Sequence, residues 1–199
     1  MGLERKKTGF IGGSFDPIHL GHITIAQDAL ELAKLDRVFF VPSGQNPHKE
    51  QAPEASQQDR LAMINLALKD YPDIAHTDIE LMRSGPSYTV ETIMYLKSEF
   101  PGDRLFWIMG EDQLPGLSSW REIEYLAEMV EFISLRRPGT PYAEPAADVR
   151  NLRLHRYEGH VNSVSSTEIR QRIREGKTVS HFLNSKVHEY ITDNELYGA

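Results

Sequence analysis

Compact apolar runs alternate along this chain with stretches in which apolar residues return every three or four positions. Thr8–Ile11, Arg37–Val41, Leu105–Met109 and Val130–Leu135 are short runs carrying β-branched and aromatic side chains, the pattern of buried strands. Between the first two, Ile23, Ala26, Leu30 and Ala33 recur at helical spacing across Leu20–Leu35. Leu61, Ile64 and Leu68 repeat that spacing after Ser56, a residue suited to cap a helix start. Tyr88–Phe100 and Trp120–Glu128 read as further helices, Leu152–Tyr157 as a last strand, and Thr167–Glu175 and Lys186–Ile191 as closing helices. Gln45–Ala55 is a polar, proline-bearing connection, long for a compact domain, and such connections often carry function. Arg137–Arg150 is rich in Pro and Ala and is expected to be irregular.

Strand alternating with helix implies parallel strands joined by right-handed crossovers, an α/β doubly wound parallel sheet with a small helical C-terminal part. Residues 1–199 are expected to form a single domain, with no internal repeat or low-complexity tract. Ligands of such sheets bind beyond the carboxyl ends of the strands. The loops after Ile11, Val41, Met109 and Tyr157 are therefore the places to look for chemistry.

Composition narrows the class. The 199 residues include 22 Lys and Arg against 29 Asp and Glu, a formal net charge of -7, and no cysteine. Thiol nucleophiles and thiolate zinc sites are excluded, and a reducing, cytoplasmic setting fits. The acidic balance speaks against a nucleic-acid partner, while leaving room for a local phosphate site. No apolar run is long enough to span a bilayer, so no membrane partner is expected. The basic start lacks the apolar stretch of a signal peptide, and Lys6 stands where a myristoylation signal has Ser or Thr.

The richest stretch is Gly12-Gly13-Ser14-Phe15-Asp16-Pro17-Ile18-His19-Leu20-Gly21-His22, directly after the first predicted strand. Gly12 and Gly13 free the backbone for close approach. His19 and His22, three apart at a helix start, can face one ligand beside free N–H groups and a positive helix end. Two imidazoles there can donate hydrogen bonds to phosphate oxygens, more strongly if protonated. A lone His-x-x-His is more often a surface pair, but glycines, Asp-Pro and strand-to-helix context together point to a site. Zinc is the weaker rival, since no third His or Cys stands nearby. Asp16 is placed either to orient the turn or to meet a metal's water shell.

This stretch resembles the His-x-Gly-His signature of the nucleotidylyltransferase superfamily. Four later segments are similar to the bacterial nicotinate-nucleotide adenylyltransferases in particular: Asn46-Pro47-His48-Lys49, Ser87-Tyr88-Thr89-Val90-Glu91-Thr92, Gly110-Glu111-Asp112 followed by Trp120, and Ser165-Ser166-Thr167-Glu168-Ile169-Arg170. The likeness runs to the Tyr190-Ile191…Leu196-Tyr197 ending. Two positions depart from it, a single Pro47 where many members have two and Glu111 where a small residue is frequent.

The resemblance implies a Rossmann-like fold of nucleotidylyltransferase type, with AMP passing from ATP to nicotinate mononucleotide in NAD biosynthesis. It implies that Gly12, Gly13, Ser14, Phe15, His19, His22, Gly110, Asp112, Ser165, Ser166, Thr167 and Arg170 hold ATP, with His19, His22 and Arg170 stabilising the reacting phosphates. Asp16, Asn46, His48, Lys49, Tyr88, Thr89 and Trp120 fall to nicotinate mononucleotide, Trp120 stacking on the pyridine ring and amides near Thr89 and Trp120 receiving its carboxylate. Mg2+ is expected with ATP, held mostly by phosphate and water rather than by a protein site. The residues add their own physics. Ser165 and Glu168 have capping-box spacing, predicting a helix start with free amides. Asp112 follows a strand, where a carboxylate suits a ribose diol. Two other readings stay open: transfer to another acceptor such as phosphopantetheine, and a nucleotide-binding protein without chemistry. Preference for acid over amide in the pyridine ring, and homo-oligomer formation, are likewise left open by the side chains.

Overall fold

The computed structural model describes residues 5–45, 52–145, 149–160 and 164–199. Among them, strands β1 (Lys7–Gly13), β2 (Arg37–Pro42), β3 (Ile74–His76), β4 (Arg104–Gly110), β5 (Glu131–Arg136) and β6 (Leu154–Glu158) form one parallel sheet ordered β3-β2-β1-β4-β5-β6. Every strand pair is parallel, with Phe10 in register with Phe39 of β2 and Trp107 of β4. The order reverses between β1 and β4, so a crevice opens beyond their carboxyl ends.

Both faces of the sheet are covered, which is why the inner strands β1, β2, β4 and β5 are mainly apolar runs rather than alternating, while the edge strand β6 carries His155, Arg156 and Glu158. Successive side chains still part to opposite faces. Ile11, Ile108 and Ile133 join the apolar layer under α1 (Leu20–Leu32), α2 (Gln57–Leu68), α5 (Ser166–Arg174) and α6 (Ser185–Asp193). Phe10, Trp107 and Phe132 join the layer under α3 (Thr89–Glu99) and α4 (Ile123–Met129).

The expected elements are present, with four differences. β3 adds a three-residue strand at the sheet edge, too short to show a period. Glu111–Ser119 forms a 3-10 stretch around Pro115, and α4 starts at Ile123 rather than Trp120. α1 ends at Leu32 instead of Leu35, because Lys34 takes a left-handed φ of 52°. Of Arg137–Arg150, the described residues are irregular, as their Pro content predicts. No helix among the described residues is long and apolar enough to cross a membrane.

Candidate active site

Two adjoining cavities open at the carboxyl edge of the sheet among the described residues. The larger, about 950 Å³, lies between the β1–α1 turn, the ends of β4 to β6 and the N-terminus of α5. The smaller, about 320 Å³, is bounded by Ser43, Glu80, the N-terminus of α3 and Trp120. They share Gly12, Gly13, Ile108, Asp112 and Gln113, so a ligand in one meets a ligand in the other at the end of β1.

The β1–α1 turn is built from below. Phe15 adopts a left-handed φ of 48°, and its buried ring packs edge-on against Phe40 and His22 at 5.0 and 4.9 Å. Asp16 is 3% exposed, and its carboxylate accepts from Glu54 N at 2.8 Å, Ala55 N at 3.1 Å and Tyr197 Oη at 2.7 Å. Three protein donors thus hold the carboxylate, which makes it an orienting group of the turn. The two glycines answer first to packing. A Cβ on Gly12 would lie 2.6 Å from Trp107, and one on Gly13 would lie 3.0 Å from the Phe15 ring. Close approach of a ligand is therefore not needed to explain either glycine.

His19 caps α1, and the two histidine rings stack at 3.7 Å. The His19 backbone N–H donates to Nδ1 of His22 at 3.3 Å, which leaves the neutral His22 ring its proton on Nε2. Burial holds the His19 pKa down at about 4, so this imidazole is neutral near pH 7. The protonated-donor alternative thus does not apply to His19 in the free protein. Its Nδ1 is buried without a hydrogen-bond partner among the described residues.

α5 arrives as its capping sequence predicts. Ser165 Oγ accepts from Glu168 N at 3.2 Å, while Ser166 Oγ donates to the carbonyl of Pro17 at 2.9 Å and ties the helix to the turn. Thr167 stands exposed at the cavity. Arg170 donates from Nη1 to the Asp16 carbonyl and from Nε to Glu54 Oε1, both at 2.7 Å. Glu54 also pairs with Arg174, and these two arginines hold its carboxyl below the usual range against a smaller effect of burial. Arg170 therefore reaches the cavity wall already aimed by two oxygens.

At the smaller cavity, Trp120 is half-buried, meets Trp107 edge-on at 6.5 Å and lines the cavity wall. Tyr88 caps α3 under the Arg121 guanidinium, 4.6 Å from its ring, and Thr89 begins the helix. Glu80 is 5% exposed and accepts from Thr92 Oγ1 at 2.7 Å. Burial pushes its carboxyl up, and the Thr92 hydroxyl offsets this in part. Gly110 ends β4 with the Asp112 carboxylate folded back over it, at the junction of the cavities. Glu111 also lines the larger cavity, and its carboxylate accepts from Ser134 Oγ and Ala143 N at 3.1 Å each, which braces β5.

The structure brings together Gly12, Gly13, Ser14, His19, His22, Gly110, Asp112, Ser165, Ser166, Thr167 and Arg170 around the larger cavity. Tyr88, Thr89 and Trp120 line the smaller one. Phe15 and Asp16 stand at the larger cavity as supports. Asn46, His48 and Lys49 lie outside the described residues. Sequence reasoning missed Arg60, which is 1% exposed on α2 and donates from Nη1 to the carbonyls of Ser14 at 2.7 Å and Ser43 at 2.9 Å. One cation thereby staples the loops after β1 and β2. Glu54 and Glu80 were missed too, and Tyr197 was noted only as part of the closing likeness, without its contact to Asp16. None carries a local signal, since each acts on residues distant in the sequence. Among the described residues no group of three or more His, Asp or Glu side chains is placed to hold a metal ion.

Comparison with known proteins bears on family and fold. The cytidylyltransferase-like family profile matches residues 10–172. The nicotinate-nucleotide adenylyltransferase of Bacillus subtilis is 36% identical, over 96% of this chain and 98% of its own. A protein of Opitutus terrae named "Probable nicotinate-nucleotide adenylyltransferase" is 44% identical over 96% of this chain and 97% of its own. The Plasmodium falciparum nicotinic acid mononucleotide adenylyltransferase, solved with NaAD, shares the fold at a TM-score of 0.77 and 19% identity, over 97% of this chain and 98% of that one. With motifs, fold and full-length identity in agreement, the chain belongs to the nicotinate-nucleotide adenylyltransferase family.

Proposed function

We propose that this protein transfers the adenylyl group of ATP to nicotinate mononucleotide, yielding nicotinate adenine dinucleotide and pyrophosphate in NAD biosynthesis. The observation that carries the reading is the pair of cavities meeting at the end of β1, one rimmed by His19, His22, Arg170 and two helix N-termini, the other by Trp120 and the N-terminus of α3. ATP takes the larger cavity, with its ribose at Asp112. The mononucleotide takes the smaller, with the pyridine ring on Trp120.

An oxygen of the mononucleotide 5′-phosphate attacks the α-phosphorus of ATP in line. The new P–O bond forms as the bond to the bridging oxygen of the β-phosphate breaks, and that electron pair leaves with pyrophosphate. A phosphate monoester with a second pKa near 6 is already mostly ionised at pH 7, so no general base is required. The barrier is the repulsion of two anions plus their positioning. His22 Nε2–H donates to the α-phosphate, and Arg170 with the amides at the start of α5 takes the leaving pyrophosphate. Neutral His19 stacks beneath His22 and fixes its ring. Magnesium is proposed to enter with ATP, held by phosphate oxygens and water, and it supplies charge neutralisation there. The positive end of α3 at Thr89 favours a pyridine carboxylate over a neutral amide.

Incubation with MgATP and nicotinate mononucleotide is expected to release pyrophosphate and the dinucleotide in equal amounts. His22→Ala should lower kcat by about 10²–10³-fold, the cost of one such donor. ATP binding without pyrophosphate release, or a variant within about twofold of the parent at saturating ATP, would overturn the reading.

A further inference from the structure

The larger cavity extends beyond the phosphate-binding residues to a pair that the proposed chemistry does not use. Asp28 lies on α1 and is 4% exposed, yet both carboxylate oxygens are engaged by one residue 132 positions away. Oδ2 accepts from the backbone N–H of His160 at 2.8 Å, and Oδ1 from its ring Nδ1 at 2.5 Å. The preceding Gly159 is pressed against the same carboxylate, since a Cβ there would lie 2.7 Å from Oδ2. Burying a carboxylate is costly unless it is paired. Here the pairing serves an imidazole whose own side chain is 74% exposed. With Nδ1–H committed to Asp28, the ring plane is fixed and Nε2 is sent outward. Asp28, Gly159 and His160 all line the cavity.

The wall of the cavity along α1 shows where this contact falls. His22, Ile25 and Asp28 all line it at three-residue spacing, one helix face rising 1.5 Å per residue, so Asp28 stands roughly 9 Å beyond His22. With the phosphates held between His22 and Arg170, the part of the nucleotide left for that end of the cavity is its base. Ile25 and Leu135 offer it apolar contact. Nε2 of His160 adds a directional polar contact to these apolar ones, a lone pair for an exocyclic amine or, in the protonated ring, a donor for a ring nitrogen.

We infer that His160, held by Asp28, is the residue that recognises the purine base of the nucleoside triphosphate. The inference rests on the reading of the larger cavity as the ATP site. It makes Asp28 a positioning residue acting through His160, and it separates base recognition at the β6 end from phosphate chemistry at the α1 and α5 ends.

Calorimetric titration with AMP and with inorganic pyrophosphate, beside steady-state kinetics, tests it. His160→Ala should weaken AMP about tenfold, as for loss of one ligand hydrogen bond, with pyrophosphate affinity unchanged. The KM for ATP should rise by a similar factor, with kcat and the KM for nicotinate mononucleotide within about twofold of the parent. Asp28→Asn, which keeps an acceptor but drops the charge, should show a smaller rise, and His160→Gln should restore part of the AMP affinity. Equal loss of AMP and pyrophosphate affinity would mark the pair as merely structural and overturn the inference, as would AMP affinity unchanged in His160→Ala. A parent protein that binds neither AMP nor pyrophosphate would instead refute the ATP site itself.

Discussion

His19 shows how burial decides the state of a side chain that spacing alone leaves ambiguous. Spacing marks two histidines three apart as a candidate phosphate site, but their protonation cannot be read from it, because it depends on what packs around the rings. Burial lowers the His19 pKa from 6.5 to about 4, so the unfolded chain binds a proton in this window that the folded protein does not. The contribution of this residue to stability is therefore complete above pH 6.5 and is lost as pH falls through 6.5 toward 4, on the order of 3 kcal/mol at the acid end. Urea unfolding between pH 7 and pH 4 should accordingly show a steeper loss for the parent than for His19→Gln. Parallel curves would mean that His19 titrates normally in the folded protein. Asp28 and His160 illustrate the opposite case. Each is an ordinary polar residue in its own segment, and only the crossing of α1 with the end of β6 makes them a pair.

At the scale of elements, periodicity served wherever a segment was long enough to show it. β1, β2, β4 and β5 read as apolar runs because both faces of the sheet are covered, and Ser165 announced α5 through its capping geometry. β3 has three residues and no period to read, and Glu111–Ser119 contains Pro115 and Gly116, which mask its 3-10 turns. α2 was legible as an amphipathic helix, but its most consequential residue, Arg60, lies among the positions that face inward. Replacing it by Met keeps volume and removes the staple on the Ser14 and Ser43 carbonyls. Each orphaned carbonyl should cost about 1–3 kcal/mol, seen as a lower urea midpoint at unchanged slope. The KM for both substrates should rise together, because both cavities lean on those loops. A rise for one substrate alone would contradict this shared role.

For the whole molecule, parallel strands place the loops after β1, β2, β4 and β6 at one edge, and this much followed from alternation of strand and helix. What did not follow is how the end of the chain returns to the site. Tyr197 donates to Asp16 from 181 positions away, and Tyr190 donates to Asp59 at 2.9 Å, so the C-terminal segment braces the first turn through two hydroxyls. Burial raises the Tyr197 phenol pKa well above its ordinary value, keeping it a donor at all working pH values. Tyr197→Phe removes a hydrogen bond to a charged group, for an expected loss of about 1.5–3 kcal/mol in unfolding free energy. Since Asp16 holds the turn that carries His19, the KM for ATP should also rise, although Tyr197 does not line the cavity. A variant with parental stability would show that this bond is dispensable.

The central claim is that the two cavities bring ATP together with a pyridine mononucleotide that carries a carboxylate. It is tested most directly by pyrophosphate release from MgATP with nicotinate mononucleotide, nicotinamide mononucleotide and phosphopantetheine compared side by side as acceptors. The highest kcat/KM is expected with nicotinate mononucleotide, with a clear loss for the amide and no turnover with phosphopantetheine. Equal or greater turnover with the amide would contradict the carboxylate site at the start of α3, and turnover with phosphopantetheine alone would contradict the assignment of the smaller cavity altogether.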